Sequence, residues 1–238
     1  MSSGKDFFSI TYRFNFTSGE VKEFRVDIDS STLIALDTAD QLKPEWTKYG
    51  SFRCPNCPVN AADDEHCPVA LKLEEIIRFF SDAASYEEVR LDIQTKERAY
   101  SKTTSMQDGV SGIIGILMVT SGCPVMGKLK PMVRFHMPFS TLLETEYRVM
   151  SMYMLAQFFR QKWGRNPDWQ MKNLLSIYEN IRILNQNVAR RIASRETKDT
   201  SINSIVVLNN FADYVSVSID EDMLHDIETL FLDYMDEE

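Results

Sequence analysis

The chain has 238 residues, is 44% hydrophobic and 26% charged, and carries a net charge of −9. That length buries a real core, as one large domain or two small ones, and a negative chain without clustered Lys and Arg is not expected to bind nucleic acid by neutralising phosphates. The first residues lack the apolar region of a secretory signal, and the longest apolar run, Ile113 to Val119, falls short of the roughly 18 residues a membrane span needs; the expectation is a cytoplasmic protein with no membrane partner.

The N-terminal segment reads as a hairpin. Phe8, Ile10, Tyr12, Phe14 and Phe16 alternate with polar residues, the period of a half-buried strand. Thr17 to Glu20 is a turn, and Val21, Phe24, Val26 and Ile28 continue a second strand. The alternation slips between Val21 and Phe24, which predicts a bulge or a late strand start. A polar stretch from Asp37 to Glu65 follows without a clear period. Such a loop inside a compact domain is usually functional or tied down, and a metal is one such tie.

A helix is predicted from Cys67 to about Ala84, with Leu71, Leu73, Ile76, Ile77, Phe79 and Phe80 on a broad apolar face. Val89, Leu91 and Ile93 alternate with charges, and a turn near Thr95 leads into Arg98 to Thr103, a second hairpin. From Ser105 the chain reads as helix to its end. Val110, Ile113, Ile114, Leu117 and Met118 suit a buried helix broken at Gly122. A short helix is predicted to begin at Cys123. Ser140 to Glu144 resembles a cap followed by a first-turn acid, opening a helix to Trp163. Further helices are expected over Asp168 to Glu196, Thr200 to Tyr214 and Asp220 to Met235. The fold expected is α+β: an antiparallel β-β-α-β-β sheet unit over 1–104, then a helical bundle over 105–238, joined as one cooperative body.

All four cysteines precede proline: Cys54-Pro55, Cys57-Pro58, Cys67-Pro68 and Cys123-Pro124. At a proline background of about 5%, four such coincidences have a chance on the order of one in a hundred thousand. The cysteines are therefore one system. A C-x2-C pair lets both thiolates face one centre from a tight turn. Four cysteines complete either a tetrahedral zinc site or a four-iron cluster, so Cys54, Cys57, Cys67 and Cys123 are the candidate metal ligands. Cys67 and Cys123 stand where helix N-caps would stand, with proline at the first helical position. There the helix dipole and free N–H groups favour a thiolate. Pro58, where zinc knuckles favour glycine, argues against a zinc ribbon though not against zinc. Packed free thiols and a redox-active disulfide pair are the competing readings.

Other groups carry weaker signals. His66 is either a solvated loop residue or a neighbour of the centre. Arg134 and His136 lie in a basic stretch that could hold an anionic ligand. His225 is expected on the surface, and Arg190, Arg191 and Arg195 on a solvated helix face. The twelve methionines read as adaptable core filler.

Four blocks resemble the signatures of an uncharacterised bacterial protein family: Cys54-Pro-Asn-Cys-Pro58, His66-Cys-Pro-Val-Ala-Leu71, Thr120-Ser-Gly-Cys-Pro124 and Arg134-Phe-His-Met-Pro-Phe139. The similarity runs over most of the chain. It implies a bacterial cytoplasmic protein with a shared site, and no reaction. Three functions follow from the residues: a binding or regulatory protein with a metal centre; a redox or iron–sulfur sensor or electron carrier; and an enzyme with a site near Arg134 and His136. The partner implied is another protein or a small anionic ligand.

Overall fold

In the computed structural model residues 6–38, 41–51, 53–60, 65–193, 203 and 226–235 are described. Alternation of large apolar side chains builds the sheet. Strands β1 (Phe7–Phe16), β2 (Val21–Asp29), β3 (Glu88–Gln94) and β4 (Ala99–Ser105) pair antiparallel in the order β2-β1-β3-β4. Ile10, Tyr12 and Phe14, with Phe24, Val26 and Ile28 and with Val89, Leu91 and Ile93, bury one face. Gly19, at φ 89°, supplies the left-handed residue of the first turn. No bulge interrupts that hairpin, because Asn15 pairs with Val21 in continuous register. Val21 has the outward parity of its strand and is 54% exposed, which is why it breaks the apolar alternation.

Two helices cover the apolar face. Helix α1 (Pro68–Phe79) contributes Val69, Leu73, Ile76 and Ile77, and α2 (Met106–Val119) is buried on most sides. Ser105 caps α2, its Oγ accepting the Asp108 N–H at 3.3 Å. Gly109 lets α2 approach the sheet: a Cβ there would stand 2.8 Å from Phe14 Cε1 and 3.0 Å from Leu91 Cδ2.

Beyond α2 lie a 3-10 turn (Met126–Leu129) and the short α3 (Lys130–Arg134). Two long helices follow, α4 (Leu142–Lys162) and α5 (Lys172–Ala193). Thr141 and Glu144 form a reciprocal capping box at the start of α4. Helix α5 starts later than its sequence suggests. Asp168 Oδ2 accepts the Asn173 N–H at 2.7 Å and the Tyr153 hydroxyl at 2.8 Å, and Met171 takes a left-handed φ of 54°. The chain therefore turns before it winds. Most of the two helices expected after Thr200 lies outside the described residues. Of the described part, 226–235 is helical throughout, with a 3-10 turn at Thr229–Phe231 ahead of α6 (Leu232–Met235), and Phe231 stacks on Tyr147 of α4. The architecture is α+β, and one apolar cluster runs from the sheet through α1 and α2 to α4 and α5. No helix among the described residues is long and apolar enough to cross a membrane.

Candidate functional site

The segment carrying the first cysteines is fastened to α1 and α5 by polar contacts. Lys72, 8% exposed on α1, donates to Ala35 O and Leu36 O and pairs with Asp37. Trp46 Nε1 donates to Glu74 at 2.6 Å. Lys48 bridges to His66, Tyr49 N–H donates to Glu65 O, and Cys67 N–H donates to Thr47 O at 2.7 Å. The Arg191 guanidinium reaches across from α5 to Lys48 O at 2.9 Å. The tie expected for this loop is thus supplied in good part by hydrogen bonds.

Within that frame Cys54 and Cys57 close a tight turn, Cys57 N–H donating to Cys54 O at 3.1 Å. Pro55 stands at the position of such a turn that favours proline. Asn56 docks the turn on α5 by donating to Asn180 O and Oδ1, both at 2.9 Å. Asn56 Oδ1 itself is buried without a partner. Cys67 is the N-cap of α1 with proline in the first helical turn, as its sequence predicts. Cys123 departs from its expectation in part. No α-helix starts there; Pro124 and Val125 form a turn into the 3-10 segment. Even so, its carbonyl accepts the Gly127 N–H at 2.8 Å, and the Met126 and Val125 N–H groups hydrogen-bond its sulfur.

All four cysteines, each a free thiol of intermediate burial, line one small cavity of about 20 Å³. The remaining wall comes from Tyr49, Asn56, prolines, and the aliphatic Val59, Val69, Val125, Leu184 and Val188. Among the described residues no carboxylate or imidazole shares it. No group of three His, Cys, Asp or Glu side chains is drawn together there, or elsewhere among the described residues, as a single metal ion requires. Burial pushes the Cys54 thiol up to about 12, aided by Cys67 and Cys57 and opposed by Arg191. Burial also raises Cys123, against the pull of the Met126 and Val125 N–H groups. Turn N–H groups stand in for the helix terminus expected at Cys123, and desolvation outweighs them.

A second, larger cavity of about 440 Å³ lies among the sheet, α2, α3, α4 and α5. His136 lines it, with Nε2 2.8 Å from the Tyr12 hydroxyl. Burial, with Arg148 second, lowers His136 to about 4, so the ring is neutral at pH 7. Burial raises Tyr12, which keeps its proton, so two neutral groups share this hydrogen bond. Arg134 does not join His136: it is exposed and lies over the Phe8 ring, 4.8 Å from its centroid. The half-buried cation at this cavity is Arg148, with exposed Lys102 also in the wall; Arg148 donates to Met132 O at 3.0 Å, Phe135 O at 2.9 Å and Ser140 Oγ at 3.3 Å. Met126, Met132 and Met137 line the same space, the adaptable role expected of methionine.

His66 is neither a solvated loop residue nor a lining residue of the cysteine cavity. Its Nδ1 lies 2.7 Å from Thr47 Oγ1, and the side chain is 14% exposed. Arg191 is buried rather than on a solvated face, because α5 turns it inward to Lys48, whereas Arg190 is exposed. Arg195 and His225 lie outside the described residues.

No curated protein and no solved structure matches the chain significantly. A family model described as a domain of unknown function, DUF6901, matches residues 10–232. In agreement with the resemblance to an uncharacterised family, the chain belongs to the DUF6901 family.

Proposed function

We propose that Cys54, Cys57, Cys67 and Cys123 hold an iron–sulfur cluster, and that the protein is a binding or regulatory component built around it in the bacterial cytoplasm. The observation that carries this reading is one cavity lined by all four thiols, brought from three separate parts of the chain, with no carboxylate or imidazole among the described residues of its wall. An all-thiol donor set in an apolar shell suits soft metals and clusters. The four thiols share one space, which a single ion or a cluster could occupy. Four thiolates around a single zinc would stand about 3.8 Å apart, whereas a cubane spreads them over its corners.

The chain's own residues prepare that site. The N–H groups of Met126 and Val125 at Cys123, and the Arg191 guanidinium near Cys54, offset thiolate charge. Aliphatic side chains of α5 exclude water from one side, and such a shell tunes a centre's potential. A bound cluster supplies one-electron redox chemistry, and with all four positions taken by cysteine it presents no open coordination position to a substrate. A reducing compartment suits the free thiols.

Zinc is the second reading, favoured by the size of the cavity. About 20 Å³ is the room of one water-sized group, which suits an ion better than a cubane. The Cys-Pro pairing, with Pro58 where zinc knuckles favour glycine, keeps the cluster as the first reading. Absorbance of anaerobically purified protein tests the choice. A cluster gives brown protein with visible absorbance that bleaches with dithionite; colourless protein with bound zinc supports the second reading.

A further inference from the structure

We propose that the larger cavity binds a small apolar carboxylate that also carries an N–H or O–H donor. The inference does not rest on the cysteine centre, and its test compares probes on one preparation of the protein.

The cavity has the size and character of a ligand site. Its volume, about 440 Å³, is within the usual range of small-molecule pockets. The wall is mainly apolar: Leu91, Ile93, Ile116 and Val133 beside the methionines. Polar groups converge on it from elements far apart in the chain.

Two of those groups define the ligand. Asn185 of α5 is 2% exposed, lines the cavity, and its Oδ1 has no hydrogen-bond partner. A buried amide oxygen without a donor is destabilising, and a ligand N–H or O–H would relieve that cost. Arg148 is half-buried, and its guanidinium is spent on two carbonyls and a hydroxyl. It makes no ion pair among the described residues. A guanidinium has five donors, so further N–H groups are left to meet a carboxylate. Neutral His136, held by Tyr12, adds a polar group without adding charge. Exposed Lys102 and Asp108 also line the cavity and offset each other in charge, so one half-buried cation, one unpaired acceptor and an adaptable Met-rich wall describe an amphipathic monoanion.

The probes are indole-3-propionate, its neutral amide, and its N1-methyl derivative, each titrated calorimetrically into the full chain. Indole-3-propionate is expected to bind. The amide should bind at least tenfold more weakly because it lacks the charge, and the N1-methyl acid several-fold more weakly because it lacks the donor. Arg148→Met should erase the preference for acid over amide. Because Arg148 also holds the 132–140 segment, Asn185→Leu is the second variant. It should melt higher than the parent, through removal of a buried unpaired amide, and should bind the acid and its N1-methyl derivative alike. No binding of any probe overturns the proposal. So does equal affinity for acid and amide, or an Asn185→Leu protein that still prefers the N–H probe.

Discussion

Leu184 and Asn185 are neighbours on α5, yet Leu184 lines the cysteine cavity and Asn185 the larger one. Val125 and Met126 divide in the same way after Cys123. The two cavities are back to back across two short pieces of backbone. A metal that drew on Cys123 would move Met126, and a ligand against Asn185 would press on Leu184. Binding at the two places is therefore expected to be coupled, and the coupling must be reciprocal. Indole-3-propionate affinity should differ by roughly fivefold or more between metal-loaded and metal-free protein, a coupling of about 1 kcal/mol. Equal affinities in the two states would show that the shared wall is rigid.

Two glycines of α2 should respond oppositely to alanine. Removing glycine from a helix interior gains about 1 kcal/mol of propensity. At Gly109 the new Cβ would stand 2.8 Å from the Phe14 ring and 3.0 Å from Leu91 Cδ2, both fixed in the core. Overpacking costs about 1–3 kcal/mol, so Gly109→Ala should lower the melting temperature. At Gly112 the nearest atom, Tyr12 Oη, lies at 3.4 Å. Gly112→Ala should therefore be neutral or stabilising in the same thermal melt.

Stability should decline between about pH 6.5 and pH 4 because of His136. Its folded-state value of about 4 lies below the ordinary 6.5, so the unfolded chain binds more protons in that window. The stabilisation is complete above the upper limit and is lost as pH falls towards the lower one. The charged or titratable groups around the cavity are Tyr12 from β1, Lys102 from β4, Asp108 from α2, Arg148 from α4 and Tyr178 from α5. Hydrogen bonds lower the Asp92, Glu144 and Asp168 carboxyls, which titrate below the ordinary carboxylate range. Chemical denaturation at a series of pH values should show the decline in the wild type and a flatter profile in His136→Gln. A parallel decline in both would assign it to other groups.

Cys123→Ser should cost more than Cys54→Ser. Cys123 leads out of the buried α2, and its sulfur receives two backbone N–H groups. Cys54 sits in a loop turn whose docking through Asn56 survives its loss. Both variants should lose metal. At this chain length each 1 kcal/mol shifts the melting temperature by about 2–4 °C, so a difference is readable in a thermal melt. Equal melting of Cys123→Ser and wild type, each with its metal content measured, would contradict a centre that ties α2 to the loop.

What was legible in the sequence depended on periodicity and on local chemistry. Both hairpins are visible because Phe, Ile and Val alternate with charges, and α4 because Thr141 and Glu144 form a cap that needs only four residues. The cysteines announced themselves through proline. The larger cavity left no such trace. Tyr12, Arg148 and Asn185 come from β1, α4 and α5, and long-range convergence has no spacing. Arg134 is close to His136 in the chain, but α3 ends between them and turns Arg134 outward onto Phe8. Arg191 misled for a related reason: its helix face reads as charged, yet the cysteine loop covers it.

The most direct test is elemental analysis of the full chain purified without oxygen, measuring iron, acid-labile sulfide and zinc together. A cubane on the four cysteines predicts about four iron and about four sulfide per chain, with little zinc. About one zinc per chain without sulfide, or no metal at all, would contradict the cluster.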